Sequence, residues 1–150
     1  MVLDKKILGK LQRFCAYRER STKEVNDKLT TLKIFYDQQQ LYVKVLEEQK
    51  FLDEARFVKA FVNDKFKINR WGKIKIRQAL SLFQVNDTLI IHALENIDDA
   101  QYLKALQHII DRYKPKTKGL EKYLATQKIL KHCYSKGYEP DITGKLLQDI

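Results

Sequence analysis

The sequence is poor in the residues that interrupt regular secondary structure, with 5 glycines and 2 prolines among its 150 residues. Because these residue types dominate turns, their scarcity argues against a fold of many short strands and favours an all-helical chain. Long apolar runs are also missing, and none approaches the roughly 18 residues that a membrane span needs. The charged residues Asp4, Lys5 and Lys6 precede no apolar stretch of the signal-peptide kind, so we expect a cytoplasmic protein.

Cysteine is also scarce. Cys15 and Cys133 lie far apart in the sequence, and each occupies an apolar position of a predicted helix. This arrangement is typical of buried free thiols in a reducing compartment, and it excludes a disulfide-rich framework. Apolar residues make up 44% of the chain, which is enough for a packed core and makes global disorder an unfavoured interpretation.

The residue patterns of enzymes and metalloproteins are missing as well. No Gly-x-x-x-x-Gly-Lys loop is present to hold a nucleotide phosphate. His92, His108 and His132 have no second ligand at a zinc-like spacing. The carboxylate pairs at 53–54 and 98–99 stand at predicted helix starts, where the helix dipole accounts for them. We therefore expect no catalytic residue, no cofactor and no metal, and a protein that is not an enzyme.

Positive charge is what the chain has in excess, with 29 Lys+Arg against 19 Asp+Glu and a formal net charge of +10. An acidic partner follows: nucleic acid, an acidic protein or, less favoured, a membrane surface. Residues 65–77 and 112–118 are both basic and contain no acidic residue, which favours binding over a merely solvated face. Trp71 lies in the first segment, where it is equally well interpreted as a base-stacking ring or as a packing anchor at a bend.

A short signature recurs in altered form about fifty residues along the chain, which is typical of tandem repeats. Its copies are residues 17–25 (YRERSTKEV) and 69–77 (NRWGKIKIR), and a leucine closes each, Leu29 and Leu80. Each copy marks the start of a basic helix that follows a longer one. Aligning Leu29 and Leu80 with Leu130 predicts an all-α, elongated array of three tandem three-helix repeats, at residues 1–50, 51–97 and 98–150.

Helical periodicity in the first repeat predicts which side chains are buried. Leu3, Ile7, Leu11 and Cys15 form an apolar stripe on the first helix. Residues 21–24 (STKE) form a capping box, which accounts for the Ser21 hydroxyl without any catalytic role. A third helix near residue 37 is expected to bury the apolar residues Leu41, Val45 and Leu46.

In the other two repeats, similar stripes and two glycines mark helices and their ends. The stripe of the first helix of the second repeat is Leu52, Ala55, Val58, Val62 and Phe66. In the third repeat the stripes are Leu103, Leu106, Ile110 and Tyr113, and then Leu120, Tyr123 or Leu124, Leu130 and Tyr134. Gly72 is expected to permit a backbone turn that residues with a Cβ resist, and Gly137 is expected at a helix C′ position.

Three stretches give the chain a resemblance to a known family. Residues 18–25 (RERSTKEV) with Leu29 are similar to an Arg-Glu-x-Ser-x-x-Glu-Leu element, with Val25 in place of the usual Leu. Residues 51–57 (FLDEARF) with 61–62 (FV) resemble a Leu-x-Asp-x-x-Phe-Ala-x-x-Phe-Val helix, and residues 71–77 (WGKIKIR) with Leu80 resemble a Trp-Gly-x-x-x-Ile-Arg-x-x-Leu element. In this order and spacing, they make the chain resemble RecX, the bacterial regulatory family that modulates the RecA recombinase.

The resemblance implies a curved array of three helical repeats that binds RecA along the groove of the RecA–DNA filament. It implies inhibition of ATP hydrolysis, recombinase activity and strand exchange, in DNA repair and the SOS response. The residues expected to contact RecA, or single- or double-stranded DNA, are those of the basic segments: Arg18, Arg20, Lys65, Lys67, Arg70, Trp71, Lys73, Lys75, Arg77, Lys114, Lys116 and Lys118.

Two other functions fit the same residues. One is a helical nucleic-acid-binding protein that acts without RecA. The other is a repeat scaffold whose positive charge serves only solubility. We expect a monomer in each case, and the third repeat, with residues 135–138 (SKGY) where the family often has Arg-Arg-Gly-Phe, resembles the family least.

Overall fold

The structure is a computed structural model that describes residues 3–148, and within that range the chain is all helical, with nine α-helices and no strand. The predicted all-α fold is therefore confirmed. The helices are α1 (Lys5–Tyr17), α2 (Thr22–Thr31), α3 (Tyr36–Glu48), α4 (Glu54–Lys67), α5 (Lys73–Ser81), α6 (Asp87–Glu95), α7 (Asp99–Tyr113), α8 (Lys122–Ser135) and α9 (Pro140–Gln148), with a 3₁₀ helix at Lys114–Thr117.

Contacts within the chain define two compact units. One comprises the chain up to Phe61 together with Leu80–Ile90, and the other comprises Val62–Ala79 together with the chain from Ile91 onward. Helices α4 and α5 each contribute residues to both units. The boundaries of the three sequence repeats stay a prediction.

The first unit has a core formed by the apolar faces of α1, α2 and α3. The predicted stripe of α1 is confirmed, because Leu11 and Cys15 are buried and Leu3 and Ile7 pack against them. The capping box at the start of α2 is also confirmed: the Ser21 hydroxyl accepts from the Glu24 N–H at 3.1 Å, and the Glu24 carboxylate accepts from the Ser21 N–H at 3.0 Å. The buried cluster consists of Leu11, Cys15, Val25, Leu29, Tyr42, Val43, Leu46 and Leu52.

The predicted buried face of α3 is wrong apart from Leu46. Leu41 is exposed and Val45 is half-buried, while the helix buries Gln39, Tyr42, Val43 and Leu46. Gln39 can enter this face because its side-chain amide donates to Thr30 Oγ1 and to the Ile34 carbonyl, both at 3.0 Å. Gln39 is thus buried on α3 although it is polar, because its side-chain amide is hydrogen-bonded. A search for apolar residues alone does not find this face of the helix.

The second unit contains α7, α8 and α9, and its core differs from the predicted stripes in two helices. In α7 the predicted Leu106 and Ile110 are buried, but Tyr102 is buried in place of Leu103, which is exposed. Helix α8 buries Ile129 and, as predicted, Cys133, but the predicted stripe is wrong: Leu120, Tyr123, Leu124 and Tyr134 are exposed and Leu130 is half-buried. Ala55 of α4, in the first unit, is exposed as well. These predictions failed because Tyr and Leu occur on both faces of these helices, so the pattern allows more than one register.

Two glycines of the second unit bring separate parts of the chain into backbone contact. A Cβ on Gly72 would lie 2.3 Å from the carbonyl carbon and oxygen of Gly137. The Gly72 N–H donates to the Lys136 carbonyl at 2.7 Å, and the Ile74 N–H donates to the Gly137 carbonyl at 2.9 Å. Gly72 is therefore required for close approach, and its predicted role in permitting a turn is wrong, since only Gly119 and Gly137 among the described glycines have positive φ.

Gly137 occupies the predicted C′ position of α8, with φ +98°. Its N–H donates to the Tyr134 carbonyl at 2.8 Å, and the Tyr138 N–H donates to the Cys133 carbonyl at 3.0 Å, which together satisfy the last turn of the helix. Tyr138, fully buried, follows at once, and its hydroxyl donates to the Arg70 carbonyl at 2.9 Å. The end of α8 is thereby fixed to the segment that precedes α5.

We predict that Gly72→Ala lowers the free energy of unfolding by about 1–3 kcal/mol, because the new methyl group would overlap backbone atoms that cannot move aside. Gly144→Ala is the matched control: no atom lies within 4 Å of its Cβ position in α9, so helix propensity predicts a gain of up to about 1 kcal/mol. Urea denaturation followed by circular dichroism measures both. Equal midpoints for the two variants would contradict the close glycine contact.

Candidate partner-binding surface

Trp71 lies between two lysines in the loop that joins α4 to α5. Its half-buried ring has Lys65 Nζ 4.8 Å and Lys75 Nζ 4.6 Å from the ring centroid. Ammonium groups at this distance are attracted to the face of an indole. The backbone N–H of Trp71 also donates to the Lys65 carbonyl at 3.0 Å. Three predicted binding residues, Lys65, Trp71 and Lys75, thus lie together. Both lysines already make a cation–π contact inside the protein.

Lys73, at the start of α5, packs against a buried tyrosine. Its N–H donates to the Tyr102 hydroxyl oxygen at 3.0 Å, and its Nζ lies 4.9 Å from the Tyr102 ring centroid. The Tyr102 hydroxyl donates in turn to the Glu139 carboxylate. Burial, and then the hydrogen bond to Glu139, raise the pKa of Tyr102 well above its usual value, so the hydroxyl stays protonated. This chain of hydrogen bonds fixes the first residue of α5.

The two predicted arginines of the first unit are in different environments. Arg18 is half exposed and its guanidinium forms an ion pair with Glu24 at 2.5 Å. Arg20 is nearly buried, with 11% of its side chain exposed; its Nε donates to the Phe14 carbonyl at 2.8 Å, and its guanidinium stacks 3.7 Å from the Phe14 ring centroid. Arg20 therefore supports the junction of α1 and α2, and its contact with a partner stays a prediction.

The remaining predicted lysines lie at helix ends. Lys67 is the last residue of α4, and Lys114 and Lys116 are in the 3₁₀ helix, with Lys116 Nζ 5.7 Å from the Tyr113 ring centroid. Lys118 follows as an exposed residue, and Arg77 is exposed on α5. Pro115 at the second position of the 3₁₀ helix and Gly119, with φ +85°, account for the predicted break after α7.

Two adjacent clefts in the second unit bring six lysine and arginine side chains close together. The first, of about 350 Å³, contains the cations Arg70, Arg112, Lys116 and Lys136 and both His108 and His132. The second, of about 280 Å³, contains Lys67, Arg70 and Lys104 and again His108. Among the described residues that line either cleft there is no aspartate or glutamate. We call them the Arg112 cleft and the Lys104 cleft.

Sequence reasoning named Lys67, Arg70 and Lys116 as binding residues and placed Arg112 in a basic segment, but it missed Lys104, His108, His132 and Lys136. A signal was present in α7, where Lys104, His108 and Arg112 are spaced four residues apart and so share one helix face. Lys136 gave no such signal, because the glycine contact after α8 brings it here.

An aromatic pair forms part of the wall of the Arg112 cleft. The rings of Tyr113 and His132 are parallel within 10°, with centroids 4.2 Å apart. Burial, followed by the nearby charges of Lys136 and Lys116, lowers the pKa of His132. At neutral pH the His132 ring is therefore uncharged and adds no positive charge to the cleft.

Both cysteines are buried and free, as predicted. Burial raises the pKa of Cys133 to about 11 from 9.0, and burial is also the main cause that raises the pKa of Cys15. Within residues 3–148 no cluster of three His, Cys, Asp or Glu side chains is placed to hold a metal ion. No helix in the same range is both long enough and apolar enough to cross a membrane.

We expect Arg20→Ala to lower the free energy of unfolding by about 2 kcal/mol, since it removes a hydrogen bond from a charged donor and the contact with Phe14. Arg18→Ala is the control: its ion pair is half exposed, so it should change stability by less than about 1 kcal/mol. Urea denaturation measures the free energy of unfolding of both variants. Equal stability of the two would show that Arg20 is not a structural residue.

We also expect neither cysteine to react with iodoacetamide at pH 8 in the native protein, and both to react in urea, as intact mass would show. The pKa of Cys133 is raised on folding, so the folded state holds the proton more tightly. Its contribution to stability is complete below pH 9 and is lost as the pH rises towards 11. Alkylation of the native protein would indicate an exposed thiol instead.

Comparison with known proteins agrees with the fold and with the sequence elements. The family described as "RecX, second three-helix domain" matches residues 53–94. The protein named "Regulatory protein RecX" from Bacillus licheniformis is 28% identical over 97% of this chain and 55% of its own length. The protein of the same name from Clostridium perfringens is 27% identical over 87% of this chain and 62% of its own length. The chain thus spans little more than half the length of these relatives.

Solved structures share the arrangement of helices. The crystal structure of RecX from Lactobacillus salivarius superimposes with a TM-score of 0.89 at 20% identity, covering 97% of this chain and 94% of that one. A second crystal structure of regulatory protein RecX has a TM-score of 0.87 at 16% identity and covers 97% of this chain. These matches confirm, in sequence and in fold, that the chain resembles the RecX family over nearly its whole length.

Proposed function

We propose that the chain is a non-enzymatic regulatory protein of the cytoplasm that binds RecA and the RecA–DNA filament, as a monomer, and inhibits its ATPase and strand-exchange activities. The observation that carries this proposal is the similarity to proteins named regulatory protein RecX along 97% of the chain. The basic residues of the second unit give a physical reason for binding, because a filament that contains DNA is strongly anionic.

The mechanism we propose is occupation of the filament groove or obstruction of subunit addition. A chain that contacts several positions of a filament gains avidity, since each contact after the first is intramolecular. Lysine and arginine contacts also accelerate association with an anionic target and weaken as salt is added. Such binding needs no bond-breaking chemistry on this chain.

The RecA ATPase that depends on single-stranded DNA tests the proposal directly when it is titrated with this protein. We expect the rate to fall at well below one copy per RecA, with free DNA in excess, because a filament modulator acts on many subunits at once. A fall that begins only when all the DNA is coated would indicate competition for DNA. An unchanged rate at every ratio would remove RecA regulation as the function.

The same titration with Lys73→Ala, Lys75→Ala and Arg77→Ala combined tests the basic start of α5. Inhibition should require more protein and depend less on salt. Since Lys73 and Lys75 pack on Tyr102 and Trp71, the thermal stability of this variant must be measured alongside. Replacing the exposed Lys5, Lys6 and Lys10 of α1 by alanine removes the same charge elsewhere and is the control. Equal inhibition by both variants would exclude this surface.

The alternative function is a nucleic-acid-binding protein that acts without RecA, and the basic clefts of the second unit favour it as the second candidate. It predicts tight, salt-sensitive binding to naked nucleic acid together with no effect on the RecA ATPase. The two readouts are independent, so they separate the two functions.

A further inference from the structure

The Arg112 cleft and the Lys104 cleft share Arg70 and His108, so they are contiguous. Together they contain six lysine or arginine side chains. Lys104, His108 and Arg112 come from one face of α7, while Arg70 precedes α5 and Lys136 follows α8. The cations therefore converge on one continuous trough from three segments that are distant in sequence.

These six cations are not compensated by carboxylates. The ion pairs of Arg18, Arg20, Lys23 and Arg56 lie elsewhere, and no lysine or arginine of the trough forms an ion pair with a described residue. Asp111, the nearest acidic residue in sequence to Arg112, accepts a hydrogen bond from Gln107 and does not line either cleft. Like charges that converge without counter-charges oppose folding, so their arrangement is favourable only when an anion binds.

The shape and the wall of the trough favour a nucleic-acid strand over an acidic protein. Single-strand binding combines a positive groove for the phosphates with aromatic rings for the bases. The parallel Tyr113 and His132 rings provide such an aromatic surface beside Arg112 and Lys116. Volumes of about 350 and 280 Å³ are of small-ligand size, and two adjoining clefts suit two successive units of a strand.

We propose that this trough binds the phosphate backbone of single-stranded nucleic acid, with Arg70 at the centre, Arg112, Lys116 and Lys136 on one side, and Lys67 and Lys104 on the other. The inference deepens the proposed function and rests on it only for its biological setting. A RecA–DNA filament carries such a strand, but binding to the trough requires no RecA.

Fluorescence anisotropy of a labelled oligothymidylate, titrated with the full chain in the absence of RecA, tests the proposal. Two variants remove exposed cations, Arg112→Ala with Lys116→Ala, and Lys67→Ala with Lys104→Ala. Each should reduce the slope of log affinity against log salt by about 1.4, since each removes two phosphate contacts. Extrapolated from 1 M to 0.1 M salt, that slope change corresponds to roughly 25-fold weaker binding.

The control variant is Lys122→Ala with Lys128→Ala, which removes the same charge from exposed positions of α8 outside both clefts. Its affinity should stay within about twofold of the unmodified chain, because neither lysine lines a cleft and salt screens charges that do not contact the strand. If the control weakens binding as much as the trough variants do, the oligonucleotide responds only to net charge and the proposal is wrong.

Arg70→Asn separates binding from folding. Arg70 has φ +55°, and asparagine adopts that conformation more readily than most residues, so this variant should melt at the same temperature or higher. Its hydrogen bond from Tyr138 uses the backbone carbonyl and is retained. We expect weaker oligonucleotide binding without loss of stability. Unchanged affinity would overturn the central role of Arg70.

Competition identifies the class of anion. Unlabelled oligothymidylate should displace the probe far better than polyglutamate of equal charge. Equal displacement by the two polymers would overturn the proposal in favour of an acidic protein surface. Because RecA is absent from these measurements, their failure would leave the ATPase titration unaffected, and an unchanged ATPase would leave the trough unaffected.

Discussion

The backbone contact between Gly72 and Gly137 is the constraint on which the second unit depends. It joins the residues that precede α5 to the residues that follow α8 through two backbone hydrogen bonds. Arg70 and Lys136 flank these glycines in sequence, so the same contact brings both cations to the Arg112 cleft. A side chain at either glycine would overlap neighbouring atoms. The close approach of the two glycines therefore determines both the packing of the unit and the positions of Arg70 and Lys136.

Among the lysines and arginines that give the chain its net charge of +10, two sets are physically different. One set is engaged inside the protein: Arg20 lies over the ring of Phe14, Lys73 over that of Tyr102, and Lys65 and Lys75 over that of Trp71. These side chains stabilise helix junctions through cation–π contacts and hydrogen bonds. The other set lines the trough and has no carboxylate partner there, which makes its charge available to an anion. Sequence composition cannot separate these sets, because both consist of lysine and arginine.

What could be predicted from the sequence was local. The helices, the capping box at Ser21 and the C′ glycine at position 137 follow from interactions within a few residues, and the structure has them. The buried face of α3 could not be predicted, because it depends on two hydrogen bonds from Gln39 to residues outside that helix. The cations that α7 contributes to the trough, Lys104 and Arg112, could be predicted from the four-residue spacing of Lys104, His108 and Arg112. Lys136 could not, because only tertiary packing brings it to them.

A trough lined by uncompensated cations cannot distinguish one nucleic-acid sequence from another. Phosphate contacts carry no sequence information, so this surface would hold any strand and would do so less tightly as salt rises. We propose that a regulator of one filament obtains its selectivity from contacts with protein, with the half-exposed Trp71 and the neighbouring start of α5 as the candidate contacts. Lys67, Lys104 and Arg112 lie on helices, and Arg70 and Lys136 adjoin the backbone contact of Gly72 with Gly137. Because these positions are fixed before binding, less ordering accompanies it, and more of the contact energy appears as affinity. Backbone contact for affinity and protein contact for selectivity thus require different residues of the second unit.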